Sequence, residues 1–434
     1  MILIYTHKIT PRVRYIFKQL CTRLLGVPVK YTTAVDEFIV HGSLKFSYGN
    51  KPLGEELHLK AHETLFEQGI TDVEIKIQDW DGVPCFFSTP SGDLPYDIFA
   101  AAFVLLSRYE EYLPHVKDAK GRFPASESLA LQHGFLHLPV VDIWMMRFRE
   151  KLSEKFPNYK WPSRKAQTQA VIDVEQAYDF YKVGFIREVS GIFKDLFKFR
   201  FSHIMLRIRV KLGLRKDPYD TFSWLINVQK NAEHRFIYFF QLGDFSTYTK
   251  NIRFNKGKFR ELIKMIADYS EVGLYFSKEA LESESVMKTE KKRLLQIINK
   301  PLDAVRCTHH MAGMPKHYRD MIVQDALNDY SMGYDNVLGF RAGTCTPFLF
   351  YDLDHERVTP LMVHSVCANS TVFEENHHEN ATDLNEQLDR FLEMRKIVEQ
   401  VGGYFIFSFK NRSFTGKAQH EGQWKQFFRQ LIHV

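Results

Sequence analysis

Two carboxylates stand at the end of a short apolar run, and this arrangement constrains the fold more than any other feature of the chain. The run Ala170-Val171-Ile172-Asp173-Val174-Glu175 contains no basic residue. If it ends a buried strand, Asp173 and Glu175 point to the same side, because side chains alternate along a strand. Two buried acids that converge need a partner, commonly a metal ion or a reacting group. The alternative is a strand-to-helix junction where one of the acids caps the next segment.

Apolar runs recur after this point and alternate with helical patterns. Further strands are predicted at 236–240, 272–276, 337–341 and 404–409, and a helix is predicted at 258–269. Strands that alternate with helices are typical of an α/β domain. Residues 161–434 are therefore predicted to form one such domain.

The N-terminal part predicts a second unit of mixed secondary structure. Its expected elements are a first strand, a basic amphipathic helix that ends before Gly26 and Pro28, two short strands and another helix, at 1–8, 12–25, 37–41, 73–77 and 97–112. A polar stretch with Pro157 and Pro162 follows. Such composition favours a boundary, so residues 1–160 are predicted to form a separate N-terminal α/β domain.

Composition narrows the classes of protein to which the chain can belong. With 45% hydrophobic and 25% charged residues, its 434 residues are ordinary for a soluble globular protein. A net charge of +6 is too mild to make nucleic acid the expected partner, and no nucleic-acid reader motif is present. Five scattered cysteines indicate free thiols in a reducing compartment. No signal peptide and no bilayer-length apolar run occur, so we predict a cytoplasmic location.

A basic insertion separates the first two strands of the second unit. Residues 187–216 contain nine Lys and Arg residues against Glu188 and Asp195, and apolar residues lie between them. This pattern is typical of an amphipathic helix on an anionic surface, which would place the protein at the inner face of a membrane. The alternative is that the segment packs on its own domain with its lysines outward.

Several stretches together resemble one known family. Val171-Ile172-Asp173-Val174-Glu175 and residues 271–277 and 338–344 are similar to successive motifs of a polysaccharide deacetylase, of the bacterial type with an extra N-terminal α/β domain of unassigned role. The N-terminal half is similar to that type as well, at 99–113, 121–123 and 139–142. The resemblance covers nearly the whole chain. It implies an irregular (β/α) barrel with its site at the carboxyl ends of the strands.

The resemblance also implies a chemistry. Active members hold a divalent metal, most often zinc, by one carboxylate and two histidines, and a second acid serves as general base on the metal-bound water. On this chain, Asp173 corresponds to the base, Glu175 to the metal carboxylate and Arg341 to the arginine that orients the base. His309 and His310 are the candidate metal histidines.

Three further residues complete the predicted site. His364 lies on a predicted core strand and is the candidate for the late catalytic acid, with a structural histidine as the alternative. Tyr275, in the strand predicted at 272–276, and Arg306, in the stretch 306–310 that the resemblance aligns with a family motif, are candidate substrate-binding residues. His377 and His378 lie in a polar loop, where adjacent histidines are usually solvated or bind metal only incidentally.

The chain departs from the family pattern at its imidazoles. Tyr275, Thr308 and Lys410 stand where the family has histidines, and neither tyrosine nor protonated lysine is a good zinc ligand at neutral pH. The sequence therefore predicts a degenerate metal site in a protein that acts on or binds an N-acetylated glycan. The first hypothesis is a metal-dependent carbohydrate deacetylase. The second is an inactive deacetylase-fold protein that binds carbohydrate or serves as a scaffolding partner in envelope polysaccharide assembly.

Overall fold

The N-terminal part is built on a small parallel sheet. The computed structural model describes residues 1–181, 185–232, 234–372, 384–415 and 418–433. Strands lie in the order β2-β1-β3-β4, all parallel, with bounds β1 Ile2–Thr6, β2 Val29–Thr32, β3 Lys45–Gly49 and β4 Leu57–Lys60. An antiparallel pair follows, β5 Gln78–Trp80 and β6 Val83–Cys85. The α-helices are α1 Pro11–Phe17, α2 Val35–Val40, α3 Ile98–Leu106, α4 Leu129–Gln132 and α5 Val140–Lys155.

Local signals predicted this part incompletely. The predicted helix 12–25 is α1 followed by a π-helix, Lys18–Leu24. The strand predicted at 37–41 is wrong, because the segment forms α2, whose last carbonyls accept hydrogen bonds from the Lys45 ammonium. Residues 73–77 form no regular element. The predicted helix 97–112 ends at Leu106, since Arg108 adopts a left-handed backbone conformation with φ 54°.

The remaining strands form one nine-stranded sheet in the order β12-β13-β11-β10-β9-β8-β7-β15-β14. Neighbours are parallel except β12 and β13. The strands are β7 Gln167–Val174, β8 Arg235–Phe240, β9 Glu271–Phe276, β10 Ala304–Cys307, β11 Asn328–Met332, β12 Phe348–Asp352, β13 Arg357–Ser365, β14 Ala368–Asn369 and β15 Tyr404–Lys410. The helices are α6 Phe185–Phe197, α7 Phe201–Lys211, α8 Phe222–Lys230, α9 Gly257–Tyr269, α10 Lys278–Glu282, α11 Glu284–Ile298, α12 Lys316–Val323, α13 Leu384–Val401 and α14 Ala418–His433.

The sheet curls into a half-barrel. Val171, Ile237 and Phe239 share one small buried cluster on its concave face, whereas Ile172 and Tyr238 belong to the larger core on the other face. This is the period-two alternation of a strand buried on both sides. Within the described residues the sheet keeps two edges, at β12 and β14, so the irregular barrel predicted from the resemblance is an open half-barrel here.

The strands predicted at 236–240, 272–276 and 404–409 are confirmed as β8, β9 and β15. The strand predicted at 337–341 is wrong. This segment is an irregular loop, and its Phe340 amide donates to the carbonyl of Leu136 in the N-terminal part. A neighbour outside the sheet therefore satisfies the backbone that a strand would have paired.

The two predicted domains share one core. A single cluster of buried apolar residues extends from Ile2 to Ile432. The buried Asp142 of α5 accepts hydrogen bonds from the Thr344 hydroxyl at 2.6 Å and the Cys345 amide at 3.0 Å. A separate N-terminal domain is therefore not evident, and the boundary near residue 160 stays a prediction.

Two properties of the described residues bear on the setting of the protein. None of the helices in those ranges combines the length and the apolar character required to cross a bilayer. All five cysteines are buried and unpaired, as predicted. The cytoplasmic location stays a prediction.

Candidate site at the carboxyl ends of the strands

Four strands of the sheet, β7, β9, β10 and β15, bring polar and charged side chains to one edge of the half-barrel. In the parallel register, Lys410 of β15 lies opposite Asp173 of β7, and Arg306 of β10 lies opposite Tyr275 of β9. Glu175 follows β7 directly. Because parallel strands end at the same edge, these side chains meet around one mouth of the half-barrel.

Asp173 is buried and paired with a single guanidinium. The Arg306 Nε lies 2.9 Å from one carboxylate oxygen of Asp173 and donates a hydrogen bond to the other at 3.1 Å. Burial raises the pKa of Asp173 to about 6, against the lowering effect of Arg306. The carboxyl group is therefore poised to exchange a proton close to neutral pH.

Arg306 is the residue that orients Asp173. Only 2% of it is exposed, and its other two nitrogens also donate hydrogen bonds, to the Tyr330 carbonyl, the His310 ring and the Ser408 hydroxyl. Each guanidinium nitrogen thus already donates to a group of the protein, which makes Arg306 a positioning residue for Asp173. The predicted contact of Arg306 with substrate stays a prediction.

Arg341 lies elsewhere. Its Nε and Nη2 donate to the two carboxylate oxygens of Glu111 at 2.9 and 2.7 Å, and its Nη1 donates to the Gly333 carbonyl at 3.2 Å. This bidentate pair uses the Nε–Nη2 edge of the guanidinium, so Arg341 pairs with Glu111 rather than with Asp173. The prediction that Arg341 orients Asp173 is therefore wrong.

Glu175 is surrounded by donors. One carboxylate oxygen accepts a hydrogen bond from the Tyr275 hydroxyl at 3.1 Å, and the other lies 3.3 Å from Lys410 Nζ and 3.2 Å from an Arg412 nitrogen. Burial alone raises the pKa of Glu175, but Lys410, Arg412 and His309 outweigh burial and bring the pKa to about 2. Glu175 is therefore ionised at neutral pH.

Tyr275 holds Glu175 from inside the half-barrel. Its side chain is buried, and its hydroxyl donates to Glu175 and accepts a hydrogen bond from the His309 amide at 3.3 Å. Burial raises the pKa of Tyr275 well above its ordinary value. The contact that the structure gives Tyr275 is with Glu175, and its predicted contact with substrate stays a prediction.

His310 cannot offer a lone pair to a metal. Its Nδ1 faces the Ser331 carbonyl at 2.9 Å and must donate, because a carbonyl only accepts. Its Nε2 faces an Arg306 nitrogen at 3.0 Å and must accept. Burial and the nearby Arg306 lower the pKa of His310 to about 3. The predicted role of His310 as a metal ligand is therefore wrong.

His309 lies between two carboxylates at the surface of the site. Its ring nitrogens are 3.9 Å from Glu175 and 3.8 Å from Asp335, and its side chain is 37% exposed. Both His309 and His310 have left-handed backbones, with φ of 48° and 49°. Consecutive non-glycine residues in this region are strained, and such strain is concentrated at functional sites.

Asp335 is a second ionised acid of the site. It is buried and pairs with Arg122, which also donates to the His309 carbonyl at 2.7 Å. Burial raises the pKa of Asp335, but the opposing effect of His310, Arg122 and His309 is larger and brings the pKa to about 2. A cleft of about 90 Å³ opens here, lined by Asp335, His310 and residues 122–125 of the N-terminal part.

The residues at this mouth do not fit the metal that the resemblance implies. Of the predicted ligands, only Glu175 and His309 have atoms available to a cation, and Glu175 is already compensated by Lys410 and Arg412. Within the described ranges, no three His, Cys, Asp or Glu side chains are placed as a metal site requires. A divalent ion needs more ligands than one carboxylate and one imidazole.

His364 lies at the opposite end of the half-barrel. It borders a polar cavity of about 540 Å³ that is lined by the first residues of several strands, such as Gln167, Arg235 and Asn328. Its Nε2 donates to the Asn328 side-chain oxygen at 2.9 Å, and burial lowers its pKa to about 3. A neutral histidine at the amino ends of the strands is not the acid of this site, so that prediction is wrong.

Sequence reasoning missed two charged residues of the site, Asp335 and Arg412, and it named Lys410 only as the replacement of a family histidine. Arg412 had a signal, because it lies three residues after the apolar run that ends at Phe409. Asp335 had none, since it lies in an irregular loop after β11. His377 and His378 lie outside the described residues.

Comparison with known proteins gives distant matches. Residues 2–157 match the model of a family of unknown function, DUF7033. No curated protein matches the sequence. The chain is similar to a proposed polysaccharide deacetylase from Mycobacterium smegmatis, with 10% sequence identity, a TM-score of 0.38, and coverage of 64% of this chain and 87% of that chain. It is also similar to a GH138 enzyme that targets the pectin rhamnogalacturonan II, with 12% identity, a TM-score of 0.26, and coverage of 99% of this chain and 51% of that chain. At this distance, the assignment to the deacetylase family stays a prediction.

Proposed function

We propose that the chain binds an N-acetylated glycan at the carboxyl ends of β7, β9, β10 and β15, without a divalent metal. One observation carries the proposal. Lys410 Nζ and an Arg412 nitrogen lie 3.3 and 3.2 Å from the Glu175 carboxylate, which the resemblance gives to the metal. Two side-chain cations thus supply the positive charge that an active deacetylase takes from its ion.

The charges around Glu175 support this view. Two unit charges 4 Å apart interact by about 4 kcal/mol at an effective dielectric constant of about 20. A divalent ion at Glu175 would be repelled by both Lys410 and Arg412, and it would have to displace them. The sugar hydroxyls and the acetamido group need only hydrogen bonds, which these side chains can provide.

The groups that a ligand can reach are polar, and they include both hydrogen-bond donors and hydrogen-bond acceptors. His309 and Arg412 are each more than one-third exposed, and Glu175 accepts hydrogen bonds beside them. Phe123 and Tyr334 are buried and line the adjoining cleft, so they make part of its wall apolar. The cleft holds only about 90 Å³, so it suits one small substituent of a longer glycan.

Hydrolysis of the acetamide is the second candidate function. The observation that favours it is the pKa of Asp173, about 6, which suits a general base near neutral pH. A deacetylase of this family would also need a metal. Scaffolding in envelope polysaccharide assembly is compatible with binding and needs no catalytic group.

The test is the binding of chitooligosaccharides to protein that is kept in excess chelator. Isothermal titration calorimetry measures the affinity. We expect binding to persist, and we expect Arg412→Ala to weaken it at least about tenfold, as the loss of a hydrogen bond from a charged group implies. The matched control is Arg390→Ala, an exposed arginine of α13 that pairs with Glu386 in a surface ion pair. It should bind like the wild type.

Two results would contradict this proposal. One equivalent of tightly held metal, with binding lost in chelator, would favour the deacetylase, as would release of acetate that depends on Asp173. Absence of any chitooligosaccharide binding under all conditions would remove the glycan as ligand.

We also propose an anionic membrane surface as a partner, contacted through residues 187–216. Helices α6 and α7 form a hairpin there, stabilised by the buried Asp195, which accepts hydrogen bonds from His203 and Arg207. The described apolar side chains that remain exposed on it are Phe193, Leu196, Phe197, Phe199, Phe201, Met205, Ile208, Leu212 and Leu214. Exposed cations accompany them, at Lys194, Lys198, Arg200, Arg209, Lys211, Arg215 and Lys216.

This surface suits a bilayer better than it suits the alternative of packing on its own domain. Packing would have covered the apolar side chains, yet Phe197 and Phe199 are 82% and 81% exposed. Apolar side chains with cations between them are what an interfacial helix offers to anionic headgroups.

We expect neutralisation of Lys198, Arg209 and Lys211 to glutamine to weaken binding to anionic vesicles about a hundredfold. Each cation near such a surface is worth about 1 kcal/mol, and about 1.4 kcal/mol corresponds to a factor of ten. The measurement is co-sedimentation with phosphatidylcholine vesicles that contain phosphatidylglycerol. Glutamine at Lys151, Lys155 and Lys160 is the charge-matched control. Equal sedimentation of both triple variants would contradict the proposal.

A further inference from the structure

The hairpin of α6 and α7 begins at the end of the half-barrel where the candidate site lies. Strand β7 ends at Val174, Glu175 follows it, and the hairpin begins about ten residues later. The chain returns through Asp217, whose carboxylate accepts hydrogen bonds from the amides of Asp179, Phe180 and Tyr181 at 2.9, 2.9 and 3.0 Å. The base of the hairpin is therefore closed beside the end of β7.

One residue joins this base to the site. The Asn411 side-chain nitrogen donates to the carbonyl of Gln176 on the outgoing chain and to the carbonyl of Tyr219 on the returning chain, both at 3.0 Å. The Asn411 carbonyl accepts from the Thr221 hydroxyl at 3.0 Å. Asn411 stands between Lys410 and Arg412, the two cations that contact Glu175. A buried residue of the site thus fixes the base of the hairpin.

The cleft alone is expected to bind a glycan weakly. Its volume of about 90 Å³ admits a small substituent and leaves the rest of a glycan outside. Few buried contacts give weak binding, because association also costs translational and rotational freedom. A second contact on the same ligand assembly raises the apparent affinity by roughly 10²–10⁴ without any new contact in the cleft.

We infer that the natural ligand is an N-acetylated saccharide attached to a membrane lipid, bound while the hairpin rests on the bilayer. This inference rests on the proposed glycan function and adds the class of carrier. The hairpin holds the protein at the anionic surface, and its fixed base keeps the mouth with Glu175 and Arg412 on the same end. A saccharide on a lipid in that surface then meets the cleft at high local concentration.

The experiment compares three vesicle preparations by co-sedimentation of the full chain. They are phosphatidylcholine alone, phosphatidylcholine with phosphatidylglycerol, and the latter mixture with a lipid that carries N-acetylglucosamine. We expect the third preparation to bind about a hundredfold more tightly than the second. Free chitooligosaccharide is measured in parallel by calorimetry.

The control variants separate the two contacts. Phe197, Phe199 and Phe201 changed together to serine should abolish the gain from the glycolipid and leave binding of free chitooligosaccharide unchanged. Serine at Ile39, Val40 and Val323, three exposed apolar residues outside the hairpin, should leave the gain intact. Circular dichroism confirms that each variant is folded.

Each outcome decides a different statement. If free chitooligosaccharide binds but the glycolipid adds nothing to anionic vesicles, the inference is overturned and the proposed function stands. If the glycolipid gain persists in the phenylalanine triple variant, the hairpin is not the second contact and the inference also falls. If neither free nor lipid-attached saccharide binds, the proposed function itself is wrong.

Discussion

Replacing Arg306 with methionine should lower the free energy of unfolding by about 3–5 kcal/mol at neutral pH, the range found when one partner of a buried ion pair is removed. Arg306 compensates Asp173, and both side chains are buried, at 2% and 5% exposure. Without the guanidinium, no cation of the described residues forms an ion pair with this carboxylate. The Tyr330 carbonyl, His310 and Ser408 also lose a donor.

The loss should shrink as the pH falls. The pKa of Asp173 in the folded protein, about 6, lies above the ordinary value of 3.8, so protonation of Asp173 favours the folded state. In the variant, protonation neutralises the Asp173 carboxylate, which no longer has a guanidinium beside it. Denaturant unfolding of Arg306→Met near pH 5 and pH 8 therefore gives a smaller difference from the wild type at the lower pH.

A double variant separates the charge effect from lost packing. Asp173→Asn combined with Arg306→Met should recover part of the lost stability, since it removes the uncompensated charge. Asp173→Asn alone leaves a buried guanidinium and should be destabilising. A loss below about 1 kcal/mol for Arg306→Met, the worth of a surface ion pair, would show that the pair is not buried in solution.

Replacing Glu111 with alanine should lower the free energy of unfolding by as much as replacing Arg306 with methionine. Its carboxylate lies between two buried guanidinium groups, 2.8 Å from Arg108 Nε and 2.7 Å from Arg341 Nη2. Burial raises the pKa of Glu111, but Arg341 and Arg108 outweigh it and keep the pKa below the ordinary value. Removal takes from Arg341 the carboxylate that it contacts at two nitrogens, whereas Arg108 keeps Glu110 at 2.6 Å. We expect a loss of about 3–5 kcal/mol, the range for breaking a buried ion pair.

The measurement is chemical unfolding at neutral pH, with Glu154→Ala as control. Glu154 pairs with Lys151 at the surface of α5, and its removal should change stability by less than about 1 kcal/mol. The pair of Glu111 with Arg341 joins the N-terminal part to the loop after β11. If Glu111→Ala has an effect as small as that of Glu154→Ala, the two parts are not coupled through this carboxylate.

Local sequence was sufficient for the features that depend on neighbours along the chain. The apolar runs of β8, β9 and β15 formed strands because their side chains suit a sheet buried on both faces. The Asp97 carboxylate begins α3 by accepting hydrogen bonds from the amides of Phe99 and Ala100, which is the ordinary role of Asp at the start of a helix. The spacing of Asp173 and Glu175 likewise placed both acids at one edge, since alternation is a property of the strand itself.

The partners of those acids were decided by the tertiary structure. Arg306 contacts Asp173 across 133 positions of sequence, and Arg341 contacts Glu111 across 230. Both arginines stand in similar apolar surroundings in the sequence, so nothing local distinguishes the one that meets Asp173. The fold also gave His309 and His310 different surroundings, although they are adjacent in the sequence. The His310 ring contacts Arg306, whereas the His309 ring lies near Glu175 and Asp335.

The sequence by itself determined where acids collect at the end of β7 and that the chain forms a largely parallel sheet. The tertiary structure decided that Lys410 and Arg412, not a set of imidazoles, surround Glu175. The physical reason is the range of the interactions. Backbone alternation acts over two residues, whereas an ion pair forms between whichever charges the packing of distant strands and loops brings within a few ångströms.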